Sequence, residues 1–171
     1  KDGTIMIDKD KVTIDNTSNI NNKGLHITAT NKITVYYEVR TTNNPDIFAL
    51  KGKNALGEDF FVPFQDQGRN QRNNWADSEK AYSAIDIVAV EDNTTIEITP
   101  TKPVYRDASI PVHPAGVTYE VTLNRGETYT LPPAYDAADG TFDRDGADHI
   151  GGTHLHVKDN KRIAVTKKDD S

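Results

Sequence analysis

The residues best suited to binding a metal form a short acidic cluster in the last third of the chain. Asp143 and Asp145 occupy alternate positions, and Asp148 follows Gly146, a residue type that suits a sharp turn. Oxygen ligands at alternate positions around a glycine are typical of calcium loops. The twelve-residue loop of an EF-hand is absent, because His154 stands where its final glutamate would be. The cluster predicts either a structural Ca²⁺ site at Asp143, Asp145 and Asp148 or a solvated acidic loop.

Two histidines near this cluster have the spacing of a metal-binding pair. His154 and His156 are two positions apart, so on a β-strand both side chains point to the same face, as in a zinc pair. Leu155 and Val157 then lie on the opposite face, where we expect them to join the core. We expect the two histidines to face water or a neighbouring strand, with a zinc site as the alternative.

The only tryptophan lies in a polar segment, residues 65–78, that is rich in arginine and asparagine. Arg69, Arg72 and two asparagines come shortly before Trp75. Tryptophan and arginine are enriched among the residues that dominate binding interfaces. We therefore predict a ligand site at Arg69, Arg72 and Trp75, suited to a protein surface or a sugar ring. The alternative is that Trp75 covers the edge of a sheet.

Several classes of chemistry are disfavoured by what the chain lacks. Without cysteine it has no disulfides, thiolate metal sites or cysteine nucleophile. No serine lies in a G-x-S-x-G turn, and no glycine-rich phosphate loop follows a strand pattern. The net charge of −6 and the lack of a basic stripe argue against nucleic acid as a partner. No apolar run approaches the about 20 residues of a membrane helix, so we do not expect membrane insertion. Because the catalytic motifs named above are missing, we do not expect an enzyme either.

The elements that must position these residues are β-strands. Apolar and polar residues alternate in most hydrophobic segments, which is the pattern of a strand with one buried face. Residues 85–90 are apolar on both sides and are predicted to form a central strand. The spacing of strands and turns predicts an all-β fold, an antiparallel β-sandwich that is jelly-roll-like. The alternating segments are Leu25–Ala29, Ile33–Val39, Ile96–Ile98, Val117–Leu123, Leu155–Val157 and Ile163–Val165.

Two segments without a strand pattern stand out by their length. Residues 65–78 and 132–152 reach or exceed the about 12–15 residues above which loops of compact domains are usually functional or disordered, so we expect any site there. The strand–turn–strand pattern of residues 25–35 also recurs at residues 155–165. This recurrence reflects either chance similarity or a repeated unit of a larger β assembly. We expect one β-sandwich domain over residues 1–171, taken from a longer multidomain surface protein.

Taken in order, these segments resemble the N-terminal domain family of the IgG Fc-binding protein. The most specific parts are the DNTT turn at residues 92–95 and LNRGETYTL at residues 123–131. The resemblance implies a large, modular, extracellular protein without known catalysis, and bacterial members belong to adhesin-like surface proteins. The chain differs from animal members by its lack of cysteine and its insertion at residues 65–78, so antibody binding is not implied. The resemblance also rests on GLHITATNKITVYYEV (24–39), DIFALKGKNALGEDFFVP (46–63), IDIVAVEDNTTIEITPT (85–101) and GGTHLHVKDNKRIAVT (151–166).

Residues and resemblance together favour a non-enzymatic binding or adhesion module at a bacterial cell surface. A cysteine-free β protein suits that location better than it suits eukaryotic secretion, where disulfides are common. We expect a monomeric, extracellular domain whose long loops bind a host protein or glycan. Two alternatives stay open. One is a carbohydrate-binding or Ca²⁺-dependent accessory module of a larger secreted enzyme, and the other is a structural spacer.

Overall fold

The structure is a computed structural model that describes residues 5–7, 19–39, 46–63, 83–107, 110–131 and 150–169. Within these residues the regular structure is almost entirely β. A single 3₁₀ helix, Gly52–Ala55, interrupts the strands. The strands are β1 (Ile20–Asn21), β2 (Val35–Val39), β3 (Asp46–Leu50), β4 (Leu56–Gly57), β5 (Asp59–Phe61), β6 (Ser83–Ala89), β7 (Thr94–Thr99), β8 (Val104–Asp107), β9 (Ile110–His113), β10 (Tyr119–Leu123), β11 (Thr128–Leu131), β12 (His154–Val157) and β13 (Ile163–Asp169).

Two antiparallel sheets form the sandwich. One has the strand order β1-β11-β6-β13-β4, and the other has the order β10-β7-β12-β5. Apart from the two-residue strand β1, each sheet therefore holds four of the described strands. The connections β4–β5, β6–β7, β10–β11 and β12–β13 each cross from one sheet to the other. Eight strands arranged in this way form a jelly roll, so the predicted β-sandwich of jelly-roll type is confirmed.

The core between the sheets follows from the alternation of side chains along the strands. Ile96 and Ile98 of β7 are fully buried, and so are Ile85 and Ile87 of β6 and Leu155 of β12. The polar residues between them point outward, because successive strand residues face opposite sides of a sheet. The apolar alternation in the sequence therefore correctly predicted these inner faces.

The predicted central strand is β6, which lies third of five in its sheet. Its inner face is apolar, and on its outer face Ala84 is fully buried and Val88 is partly buried. Asp86 interrupts that outer face and accepts a hydrogen bond from the Thr130 hydroxyl at 2.7 Å. The interpretation of residues 85–90 as apolar on both sides is therefore wrong at Asp86, whose carboxylate is paired on the outer face.

The N-terminal segments differ from the prediction. Residues 25–29 form no strand, and Leu25 is about half exposed. The strand predicted at Ile33–Val39 forms as β2, but it pairs with β3 in a separate two-stranded sheet rather than in the sandwich. The strands of the later pattern, β12 and β13, belong to different sheets and do not form a hairpin. The interpretation as a repeated unit is therefore wrong, because the two similar stretches adopt different structures. Chance similarity is the alternative that the structure supports.

The two ends of the sandwich are built differently. At one end, the closed end, the sheets are joined by short turns: Glu58, residues 90–93, 124–127 and 158–162. At the opposite end, the loop end, the connections are long. The described residues that flank segments 64–82 and 132–149 lie there, as do both ends of the β8–β9 segment, residues 100–118. The flanking residues are Pro63, Ser83, Leu131 and Ile150.

Candidate functional site

The predicted site residues fall in the two long segments whose described flanking residues lie at the loop end. Arg69, Arg72 and Trp75 fall within residues 64–82, outside the described residues. Asp143, Asp145 and Asp148 fall within residues 132–149, which are likewise not described. The ligand and calcium sites therefore stay predictions, and the structure locates only the strands from which these segments start.

The described residues contain a second candidate, the outward surface of the four-stranded sheet, here called the polar face. Alternation along β5, β12, β7 and β10 places charged, hydroxyl and imidazole side chains there in three rows. Among the described residues, Phe61 is its only apolar member. The other members are Asp59, Thr95, Glu97, Thr99, Thr118, Glu120, Thr122, His154, His156 and Lys158.

Asp59 connects the two histidines of this face. Its carboxylate oxygens lie 2.9 Å from Nε2 of His154 and 3.0 Å from Nδ1 of His156, so each imidazole can donate one hydrogen bond. The hydrogen bond from His154, and then that from His156, lower the pKa of Asp59 below its ordinary value of 3.8. The histidines thus face a neighbouring strand, as predicted, and they hold a carboxylate in its charged form.

Phe61 stands beside this group at the loop end of the edge strand β5. Its ring stacks on the imidazole of His154, with centroids 4.3 Å apart and planes 10° from parallel. Phe61 is nevertheless 69% exposed. An aromatic ring that is fixed on one side and open to water on the other is a feature of binding surfaces rather than of a core.

Lys158 lies at the opposite end of the polar face, next to the closed end. Its ammonium group lies 3.2 Å from the Glu97 carboxylate and also donates a hydrogen bond to Glu120. These bonds, Glu120 first, raise the pKa of Lys158. Since Glu97 and Glu120 lie directly opposite each other on β7 and β10, the lysine offsets a repulsion between like charges.

Two hydroxyl pairs complete the polar face. The hydroxyls of Thr99 and Thr118 are 2.8 Å apart, and those of Thr95 and Thr122 are 3.1 Å apart. Cross-strand threonine pairs of this kind stabilise adjacent strands. The polar face is therefore a surface of mutually paired side chains, built on the strands of the sandwich.

The turns of the two segments that carried the family resemblance most specifically lie at the closed end. The backbone amide of Asn93, in the DNTT turn, donates to the Asn124 side-chain oxygen at 3.2 Å. The amide of Arg125 donates to the Asp92 carboxylate at 3.0 Å. Lys161 donates to the carbonyls of Asp92 and Asn93 at 3.0 and 2.7 Å. These residues hold three turns together, so their role is structural.

Within the described residues, no group of three or more histidine, aspartate or glutamate side chains is arranged to hold a metal ion. The described residues therefore give no support to a zinc site at His154 and His156. Nor does that part of the chain contain a helix of the length and apolarity that crossing a membrane requires.

Fold and surface together define a class of protein: a jelly-roll β-sandwich module with a polar, solvent-facing sheet. The chain belongs to the IgGFc-binding protein family, since the family model described as IgGFc binding protein matches residues 46–170. The predicted resemblance is confirmed, although the match begins after residues 24–39, which also contributed to it. The family is one of binding proteins that are typically extracellular or secreted, and it is not known for catalysis. No match was found among curated proteins or solved structures.

Proposed function

We propose that the chain is a non-enzymatic adhesion module of a bacterial cell-surface protein that binds a host protein or glycan at its loop end. The observation that carries this proposal is the asymmetry of the sandwich. Short hydrogen-bonded turns occupy the closed end, whereas the described residues that flank segments 64–82 and 132–149 all lie at the loop end. Loops held by a rigid scaffold are the usual place for binding residues.

Within these segments, Arg69, Arg72 and Trp75 are the residues proposed to contact the ligand. Tryptophan supplies a large contact area, and arginine supplies several fixed hydrogen-bond donors. Membership of a binding family supports a protein partner, and a glycan is equally compatible with a tryptophan in a polar segment. We also propose that residues 1–171 form a single, monomeric, extracellular domain.

The test is direct binding of the whole chain to immobilised host extracellular proteins and to a glycan array. We expect Trp75→Ala, and the double substitution of Arg69 and Arg72 by alanine, each to weaken binding about tenfold or more, as loss of an interface hot spot does. Arg162→Ala is the matched control, because it removes an exposed arginine from the closed end.

Two results would contradict the proposal. Equal loss of binding in the Arg162 control would show that the loop end is not the site. Hydrolysis of polysaccharide or peptide by the purified chain would refute the non-enzymatic assignment. Calcium-dependent glycan binding would instead favour an accessory module of a larger enzyme.

A further inference from the structure

The open ring face of Phe61 is available to a ligand. The His154 imidazole covers one side of the ring, and none of the described strands lies beyond β5 in its sheet. With 69% of the residue exposed, the other side of the ring faces solvent. An aromatic face presented in this way suits a flat ligand with an apolar side, such as the C–H face of a sugar ring.

Hydrogen-bonding groups lie next to that ring in fixed positions. Asp59 is two residues before Phe61 on the same side of β5, and its carboxylate is about half exposed. The bonds from His154 and His156 at 2.9 and 3.0 Å restrict its rotation while part of the carboxylate stays open to water. Groups ordered before binding lose less conformational freedom when a ligand arrives. The arrangement thus presents acceptors and donors for sugar hydroxyl groups beside a stacking surface.

The charge of the polar face selects against anionic ligands. Asp59, Glu97 and Glu120 are carboxylates, and Lys158 is the only lysine among the residues that define the face. An excess of negative charge repels carboxylated or sulfated sugars, because like charges brought together at an interface cost free energy. A neutral, hydroxyl-rich ring meets no such barrier.

We propose that Phe61, Asp59, His154 and His156 form a subsite for a neutral hexose ring of a glycan. The ring stacks on Phe61, and its hydroxyls bond to Asp59 and the imidazoles. This inference rests on the proposed binding function and specifies one glycan contact outside the loop residues Arg69, Arg72 and Trp75. It can fail while the proposed function stands.

The experiment is an NMR titration of the ¹⁵N-labelled whole chain with neutral hexose trisaccharides, and with a sialylated trisaccharide for comparison. We expect neutral sugars to shift the amide signals of Asp59, Phe61, His154 and His156, with little effect from the sialylated one. Phe61→Ala should weaken binding about tenfold, and Phe61→Tyr, which keeps the ring, should change it less than about threefold. Tyr36→Ala, which removes an aromatic side chain exposed to 63% on β2, is the control and should leave binding unchanged.

Three outcomes would overturn the subsite. The first is the absence of shifts at these four residues with every neutral sugar at millimolar concentration. The second is stronger binding of the sialylated sugar. The third is shifts confined to residues 64–82 or 132–149 that Trp75→Ala abolishes, which would leave the proposed function intact. Failure of both the proteins and the glycan array to bind the chain would instead count against the proposed function itself.

Discussion

Asp59 shows how a single side chain organises the polar face. It accepts hydrogen bonds from two histidines that lie 95 and 97 residues away along the chain. Both contacts depend on the antiparallel pairing of β5 with β12, which places His156 directly opposite Asp59. The cluster therefore forms only when the sandwich has formed, so its titration reports on folding.

The depressed pKa of Asp59 makes a signed prediction about pH. A carboxylate with a lowered pKa in the folded state contributes stability above its unfolded-state pKa and loses that contribution as pH falls through the lower folded value. We expect Asp59→Asn to lower the melting temperature at neutral pH. We also expect the difference from the unsubstituted chain to shrink as pH falls below the ordinary value of 3.8.

Thermal melting of both proteins across this pH range measures the effect. Asp46→Asn is the matched control, because the Asp46 carboxylate accepts a bond at 2.8 Å from the amide of Ile47, the next residue in its own strand. A difference for Asp59→Asn that stays constant below 3.8 would contradict the assigned role of the two histidines.

The elements of the closed end depend on a backbone conformation that suits glycine. Gly126, in the β10–β11 turn, has φ of 81° and donates a hydrogen bond to the Ala89 carbonyl at 2.9 Å. Its own carbonyl accepts a bond from the amide of Gly24 at 3.0 Å. A β-carbon on Gly24 would lie 2.6 Å from that oxygen, so the absence of a side chain at Gly24 permits this close approach.

We expect Gly126→Ala to destabilise the protein by about 1–2 kcal/mol, because a side chain is strained at positive φ. Gly126→Asn should cost less, since asparagine tolerates the left-handed region better than alanine does. Denaturant unfolding of the two variants measures the difference. Equal loss of stability in both would show that space, rather than backbone conformation, limits this position.

Strand β12 offers a comparison between the two faces of one element. Leu155 is fully buried in the core, whereas its neighbour His156 lies on the polar face. We expect Leu155→Ala to lower the free energy of unfolding by about 2–5 kcal/mol through lost burial and a cavity. His156→Ala should cost much less, and urea unfolding of both variants tests this. A larger loss for His156→Ala would mean that the polar face stabilises the fold more than the core does.

How well a feature of this protein could be predicted from the sequence depends on how far apart its interacting residues lie along the chain. The alternation of Ile96 and Ile98, and of Leu155 and Val157, correctly identified the core because period-2 patterning is a local signal. The same signal failed at residues 25–29, because an alternating segment still needs a partner strand to pair with. Asp59 and Phe61 were missed as site residues, since the partners of both lie on β12, far along the chain, and no local spacing marks them.

For the molecule as a whole, the predicted calcium site is tested by global stability. Ca²⁺ that binds the folded state at about 100 times its Kd adds ~2.7 kcal/mol to the free energy of unfolding. If Asp143, Asp145 and Asp148 form the site, melting with Ca²⁺ should occur at a higher temperature than with EDTA. Asp145→Asn should remove that shift. An unchanged melting temperature would support the solvated acidic loop.

The topology of the five-stranded sheet also constrains how the molecule folds during synthesis. β13, the last of the described strands, lies between β6 and β4 and pairs with seven residues of β6. Ile87 and Val165, which are paired there, are far apart along the chain, and distant pairings of this kind fold slowly. Until residues 163–169 have emerged from the ribosome, β6 cannot pair with β13. The apolar residues of β6 are then only partly buried. The nascent module is therefore exposed to aggregation until this strand is made.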